Sequence, residues 1–322
     1  MRQSRPRQES RPRQESRPAP DARTPETVTS APTEPMRIAK AIARAGICSR
    51  RDAERMIEEG RVSVDGKVLT RPALNVTGRE IIVVDGKPLP MAEGVRLWRF
   101  HKPRGRVTTH RDPEGRPTVF ESLPPEMPRV ISIGRLDYNS EGLLLLTNDG
   151  ALARHLELPS TGWLRRYRAR AWGKVSEAQL ESLAQGATVE GVHYEPIEAR
   201  LDREQGDNVW LTLALREGKN REVRKVLGSL GLDVNRLIRI SFGPFQLTDL
   251  QPGAVAEIDR RVLRDQMGPA MAAAFGLDGR APEPRVADKP GRGRKVFAKA
   301  EPSAPARPAA KVRAKAKPER RR

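Results

Sequence analysis

Residues 130–150 decide the fold of the larger part of this chain, and they read VISIGRLDYNSEGLLLLTNDG. The run Val130 to Ile133 predicts a strand, and the apolar run Leu143 to Leu146 predicts a second, buried strand. The polar turn between them, Gly134 to Gly142, contains Asp137 and would present its carboxylate at a cleft. An Asp in a turn rich in Gly, Asn and Ser also commonly bonds its own backbone, so this local pattern leaves both roles open.

Outward from this segment, further strands and helices follow without strict alternation. This order predicts an α+β domain over residues 96–265, with a central mixed, largely antiparallel sheet flanked by helices. The predicted strands are 97–100, 165–171, 209–215 and 237–242, and the predicted helices are 151–158, 175–184 and 220–230.

A smaller module precedes it at residues 36–95. Apolar residues at helical spacing predict two short helices, with Ser49 as the N-cap of the second, and Asp65-Gly66 and Asp85-Gly86 predict two hairpins. Its outward cations would suit a surface that binds the phosphates of a nucleic acid. Neighbouring acidic residues partly offset their charge, so an ordinary solvent-exposed face is the alternative. These cations are Arg37, Lys40, Arg44, Arg50, Arg51, Arg55, Arg61 and Lys67.

Composition excludes several classes of protein. The chain has 322 residues, a net charge of +19 and one cysteine, which excludes a disulfide scaffold and a Cys-rich zinc site. Its densest apolar run is far shorter than the roughly 18 residues of a membrane span, and no nucleotide-binding glycine motif or metal-ligand spacing occurs. We therefore expect a cytoplasmic protein with a polyanionic partner, no membrane association, no metal and no small-molecule cofactor.

The excess charge is concentrated at one end of the chain. Residues 280–322 hold fifteen Lys and Arg against four acids, a net +11, whereas residues 1–35 carry a net +2. Both tails are rich in Pro and poor in apolar residues, which predicts disorder. The basic tail is expected to bind nucleic acid through phosphates, and a solubilising extension without a partner is the alternative.

The small module resembles the S4 RNA-binding domain. The resemblance rests on residues 37–66, in particular Ser49-Arg50-Arg51 and the sequence GRVSVDG at 60–66. It implies an αL-type RNA-binding fold whose basic face is the RNA surface.

The larger domain resembles the ribosomal branch of the pseudouridine synthases. Three motifs carry the resemblance, in the order of the family: IGRLDYNSEGLLLLTNDG at 133–150, RYRA at 166–169, and EGKNREVRKV at 217–226. The third motif departs from the family by Glu222, where Gln is commoner. The resemblance implies a catalytic domain that isomerises uridine in RNA without a cofactor.

The resemblance also implies the roles of individual residues. Asp137 would be the catalytic carboxylate, Tyr167 would stack on the uracil, and Arg224 would hold the carboxylate ionised, with Arg221 or Lys225 as alternatives. Arg135, Lys219 and Arg221 would contact the RNA around the site. Whether the carboxylate attacks the base, attacks the sugar or removes a proton is left open.

The segment 102–119 favours the large-subunit branch of the family, so we expect 23S rRNA rather than 16S rRNA as the substrate, either free or in a pre-ribosomal particle. The alternative is a non-catalytic RNA-binding factor in ribosome assembly. A DNA-binding regulator has no supporting motif.

Removal of residues 280–322 should weaken RNA binding and flatten its dependence on salt, because a net +11 leaves with them. The measurement is RNA affinity against salt concentration for the full and shortened chains. Removal of residues 1–35, a net +2, is the matched control. An unchanged slope in the first variant would show that the basic tail does not contact RNA.

Overall fold

The computed structural model describes residues 34–279 and the backbone of Val296 and Phe297. The predictions of disorder for residues 1–35 and 280–322 therefore lie almost wholly outside the described residues. Within that range, a small module is followed by a larger domain built on one mixed sheet.

The small module contains the two predicted helices and the two predicted hairpins. Ser49 caps its second helix by accepting a hydrogen bond from the backbone N–H of Asp52, as the sequence predicts. A four-stranded antiparallel sheet of order β3-β2-β5-β6 packs against the helices through a small apolar core. The elements are β1 (Met36–Arg37), α1 (Ile38–Arg44), α2 (Arg50–Glu58), β2 (Val62–Val64), β3 (Lys67–Val68), β4 (Asn75–Val76), β5 (Ile82–Val84) and β6 (Lys87–Pro88).

The larger domain is organised around a sheet of ten strands. Its order is β13-β14-β10-β15-β9-β7-β17-β18, with β8 on β9 and β16 on β15, and only the β9–β15 pair is parallel. The prediction of a mixed, largely antiparallel sheet is thus confirmed. The strands are β7 (Leu97–Lys102), β8 (Ile131–Ile133), β9 (Ser140–Thr147), β10 (Arg165–Trp172), β13 (Glu198–Gln205), β14 (Asn208–Leu215), β15 (Asp233–Phe242), β16 (Phe245–Gln246), β17 (Val255–Glu257) and β18 (Val296–Phe297), and a separate hairpin holds β11 (Ala187–Val189) and β12 (Val192–Tyr194).

Two helices pack on each face of this sheet, and the two pairs cover different strands. The helices α4 (Glu177–Ser182) and α5 (Glu222–Ser229) pack on one face over β10, β13 and β14. The helices α3 (Gly150–Glu157) and α6 (Arg260–Ala274) pack on the opposite face over β7, β8 and β9. Alternate residues of β15 confirm the two sides, because Leu237 joins the first core and Ile238 the second.

Strand β9 is the most deeply buried element of the domain. All eight of its residues are buried, because the loop 103–130 covers the face that α3 and α6 leave open. The strand begins at Ser140, three residues before the predicted start, so Gly142 lies inside it rather than at the end of a turn. Gly142 has φ +104° and pairs with Arg239 of β15, and a Cβ there would overlap the Arg239 carbonyl oxygen.

Gly142→Ala should lower the free energy of unfolding by about 3 kcal/mol or more, because it adds a backbone clash to an unfavourable φ. Gly206→Ala is the control, since Gly206 also has positive φ but has nothing within 4 Å of an added Cβ. We expect that change to cost about 1 kcal/mol. Urea denaturation of both variants tests this, and equal losses would contradict the close β9–β15 contact.

Candidate active site

A cleft of about 860 Å³ brings together the three predicted sequence motifs. It opens on the side of the sheet that carries α5, at the ends of β10 and β14. Its walls come from the loops 107–116 and 134–140, the start of β10, and the segment 215–223. Asp137, Tyr167, Arg135, Lys219 and Arg221 all line it.

Asp137 lies in the loop that joins β8 to β9. The loop turns at Gly134, which has φ +67°, and is anchored by buried Leu136, whose carbonyl accepts a hydrogen bond from Thr108 Oγ1 at 2.8 Å. The backbone carbonyl of Asp137 accepts a hydrogen bond from the N–H of Ser140 at 3.0 Å. Its half-buried side chain faces the cleft, and no hydrogen bond to the carboxylate occurs within the described residues. The carboxylate is therefore free to meet a ligand.

Lys102 holds this loop from beneath, and the sequence did not mark it as a site residue. It is fully buried at the end of β7, and its ammonium donates to the carbonyls of Asp137 (3.0 Å), Ser140 (2.8 Å) and Pro103 (3.1 Å). Burial lowers the pKa of Lys102 to about 8, while the charges of Asp137 and Glu141 act to raise it. The only sequence signal was its place in the alternation of β7, where Lys102 follows Trp98 and Phe100 on the buried face.

Tyr167 projects from β10 towards the cleft. It is half-buried, pairs with Leu213 and Arg239 on the neighbouring strands, and packs against the cores on both sides of the cleft floor. Tyr167 therefore lines the same cleft as Asp137.

Arg224 lies behind the loop of Asp137 rather than among the residues that line the cleft. Its guanidinium donates to the carbonyl of Val234 and, at 3.3 Å, to the carbonyl of Asn139. Burial and the charge of Arg221 lower its pKa, and the nearby charge of Asp137 opposes this. Of the two alternatives, Arg221 lines the cleft, whereas Lys225 pairs with Glu190 at 3.5 Å.

Comparison with known proteins shows which family has a sequence similar to this chain. Residues 96–229 match the sequence model of RNA pseudouridylate synthase, and residues 36–82 match that of the S4 domain. An RNA pseudouridine synthase of Rickettsia felis is 50% identical over 227 residues, which are 70% of this chain and 98% of that protein. The chain belongs to the RNA pseudouridine synthases.

Two further relatives extend the match. Ribosomal large subunit pseudouridine synthase B of Salmonella typhimurium is 41% identical over 230 residues, 69% of this chain and 79% of that protein. The protein of the same name in Pasteurella multocida is 39% identical over 280 residues, 84% of this chain and 81% of that protein. The prediction of an isomerase that acts on RNA is confirmed, and the alternative of a non-catalytic factor is not supported.

The S4 module of the synthase presents fewer unpaired cations than its sequence suggests. Arg44 pairs with Asp149 of the catalytic domain at 3.4 Å, Arg55 with Asp52 at 2.9 Å, and Arg61 with Asp85 at 2.7 Å. Arg37 donates to the carbonyl of Ala73. Within the described residues, Lys40, Arg50, Arg51 and Lys67 make no ion pair, and they form the unpaired part of the predicted RNA surface.

The rim of the cleft shows the same division between paired and unpaired cations. Arg135 and Arg221 are exposed and make no ion pair in the described part of the chain. Lys219 pairs with Glu217 and donates to the carbonyl of His193 at 2.7 Å. Arg135 and Arg221 are therefore the better placed of the three to meet RNA.

The sequence assigned no site role to three buried charged residues of the cleft, Arg165, Arg239 and Glu222. Arg165 and Arg239 are 7% and 3% exposed, and their guanidinium carbons lie 4.8 and 5.1 Å from the ring centre of Phe242. Glu222, 3% exposed at the start of α5, accepts a hydrogen bond from the Lys219 N–H at 2.9 Å. Burial raises the pKa of Glu222 to about 7. A protonated Glu222 is neutral, as is the Gln that the family resemblance leads us to expect at this position.

Within residues 34–279, no helix has the length and apolar character needed to cross a bilayer. The same residues contain no group of three His, Cys, Asp or Glu side chains arranged to hold a metal ion.

Glu222→Gln should remove a pH-dependent part of the stability. The folded pKa of Glu222, about 7, lies above its ordinary value of 4.5, so the native state binds the proton more tightly. The free energy of unfolding of the wild type should therefore fall by about 3 kcal/mol relative to that of this variant as the pH rises from 4.5 through 7. Urea denaturation at pH 5 and pH 8 measures the difference.

Exposed Glu181 provides the matched control, because Glu181→Gln should keep the pH dependence of the wild type. Parallel pH curves for the wild type and Glu222→Gln would contradict the assignment of a buried, protonated Glu222.

Proposed function

We propose that this synthase converts a uridine of ribosomal RNA, in the large subunit, to pseudouridine, with Asp137 as the reacting group. The observation that carries the proposal is the free carboxylate of Asp137 in a cleft that also presents Tyr167 and unpaired arginines. The large-subunit substrate is supported by the names of the Salmonella and Pasteurella relatives.

The reaction breaks the N1–C1′ bond of the uridine, turns the detached base and joins C5 to C1′. The proton on C5 is lost and N1 gains one, so atoms and electrons balance without an external oxidant or reductant. Attack of a carboxylate on the base, attack on C1′ and removal of a sugar proton all require an ionised, unshielded carboxylate beside the ribose. Asp137 presents a carboxylate without a hydrogen-bond partner among the described residues to the cleft, as each of these routes needs.

Two basic side chains hold the loop of Asp137 without neutralising its carboxylate. Lys102 and Arg224 both donate to main-chain carbonyls of residues 137–140 rather than to the carboxylate oxygens. They therefore fix the backbone of the loop and leave the carboxylate oxygens without a hydrogen-bond partner in the described part of the chain. In this proposal Arg224 is a positioning residue, and Asp137 and Tyr167 meet the substrate.

Recognition of the RNA would use both domains. A uridine inside a folded RNA must leave its stack to reach Asp137, and the apolar side of Tyr167 would receive the uracil. Arg135 and Arg221 at the rim would bind the flanking phosphates, and Lys40, Arg50 and Arg51 of the S4 module would bind a more distant part of the RNA. Such a two-domain contact suits 23S rRNA, either free or in a pre-ribosomal particle.

Asp137→Asn should lower the rate of isomerisation on the order of 10⁴-fold and leave RNA affinity within about twofold, because it removes the charge but not the volume. The measurement is carbodiimide mapping of pseudouridine in a transcribed 23S fragment, together with RNA binding. Asp207→Asn, in the exposed turn between β13 and β14, is the control and should retain full activity. Turnover by Asp137→Asn at the wild-type rate would disprove the assignment.

A further inference from the structure

The face of the sheet opposite to α4 and α5 carries a strip of arginine and tryptophan that the catalytic cleft does not use. Alternate residues of β10 point to this face, while Tyr167, Ala169 and Ala171 point to the core. Trp172 is 58% exposed there. We call this strip the outer arginine surface, and it consists of Arg166, Arg168 and Arg170 of β10, Trp172 at the end of β10, Arg200 and Arg203 of β13, and Trp210 of β14.

Trp210 lies between two guanidinium groups of this surface. The guanidinium carbon of Arg168 is 4.9 Å from the ring centre, and that of Arg203 is 5.9 Å away. Stacking of this kind holds a flat cation in one orientation and leaves its N–H edge available. The two side chains are therefore ordered before any partner arrives, which lowers the entropic cost of binding an anion.

The charge on the outer arginine surface is only partly compensated. Asp202 pairs with Arg168 at 3.5 Å and with Arg200 at 3.1 Å. Within the described residues, Arg166, Arg170 and Arg203 make no ion pair. Positive charge in excess on an exposed face favours a polyanionic partner and disfavours the chain's own basic segment 280–322, which carries a net +11.

The layout of the surface suits a nucleotide chain better than a single anion. Successive outward residues of β10 are about 6.7 Å apart, so Arg166, Arg168 and Arg170 form a row that can follow consecutive phosphates. The row ends at the exposed indole of Trp172, on which a base can stack. Hollows of about 340 and 510 Å³ lie beside Arg166 and Arg168, respectively.

We propose that the outer arginine surface binds a second segment of the RNA whose uridine enters the cleft. Arg165 lines the cleft and Arg166, the next residue, lies on the outer face, so an RNA strand can reach both sites by crossing the end of β10. This inference relies on the proposed function only for the identity of the RNA. It assigns to the synthase a third RNA contact, in addition to the cleft and the S4 module.

The test compares two RNAs and two matched variants of the full-length chain. One RNA is a short hairpin that carries the target uridine, and the other is the same hairpin extended by its flanking 23S helices. Arg166→Gln/Arg203→Gln removes two exposed charges from the outer surface. Arg154→Gln/Arg261→Gln removes two exposed charges from α3 and α6 and is the control. Thermal denaturation verifies that both variants are folded.

We expect the surface variant to bind the extended RNA on the order of tenfold more weakly at 0.1 M salt, with a slope of log affinity against log salt smaller by about 1.5. Its turnover on the short hairpin should equal that of the wild type, and the control should match the wild type on both RNAs. Trp172→Ala should weaken binding of the extended RNA without changing the slope, because it removes stacking and not charge.

Equal affinity and equal slope for the surface variant and the control on the extended RNA would overturn the inference. A defect seen only with pre-ribosomal particles, and not with protein-free RNA, would also overturn it, because the partner would then be a protein. Failure of the proposed function has a different signature, since the wild type itself would then leave the uridine of both RNAs unchanged.

Discussion

The catalytic loop of this synthase depends on one buried ammonium group. Lys102 ends β7 and donates hydrogen bonds to the carbonyls of Asp137, Ser140 and Pro103, so the position of the loop is tied to the centre of the sheet. A charged group with no exposure is costly unless polar partners surround it, and here the loop supplies those partners. The loop and the lysine thus stabilise each other, and the carboxylate of Asp137 stays free because the carbonyls take the hydrogen bonds.

The large sheet that contains Lys102 has a different binding surface on each of its two faces. The cleft lies on the side of α5, and the outer arginine surface lies on the opposite side of the same strands, β10, β13 and β14. Burial on both faces of β9 gives the catalytic loop a rigid base. The S4 module contacts the far end of β9, where Arg44 meets Asp149, the N-cap of α3. A single strand therefore connects the catalytic loop to the RNA-binding module.

Much of this architecture could be predicted from the sequence, because its signals are local. The predicted strands at 165–171 and 209–215 correspond to β10 and β14, and Ser49 marked a helix start that the structure confirms. The edge strand β13 was missed because it reads EARLDREQ, with too few apolar residues to show an alternation. The early start of β9 was missed because Gly142 resembles a turn residue, although a close parallel strand is what requires it.

The candidate site was predicted less completely than the fold, for a physical reason. Asp137 and Tyr167 lie in motifs that can be recognised from the sequence alone, and the structure brings both residues to one cleft. The roles of Lys102 and Arg239 depend on carbonyls or rings from distant segments, and that of Glu222 depends on burial, which no local pattern records. Arg224 shows the same limit, since its sequence motif indicated a partner for the carboxylate and its contacts are with the backbone.

The most direct test of the central claim is a map of pseudouridines in the ribosomal RNA of cells with and without this gene. Carbodiimide treatment and primer extension on 23S and 16S rRNA give one stop at each modified uridine. We expect a 23S stop to disappear with the gene, to return with the wild-type gene and not to return with the Asp137→Asn gene. Loss of a 16S stop would contradict the large-subunit assignment, and unchanged maps of both RNAs would contradict the claim that this cleft modifies ribosomal RNA.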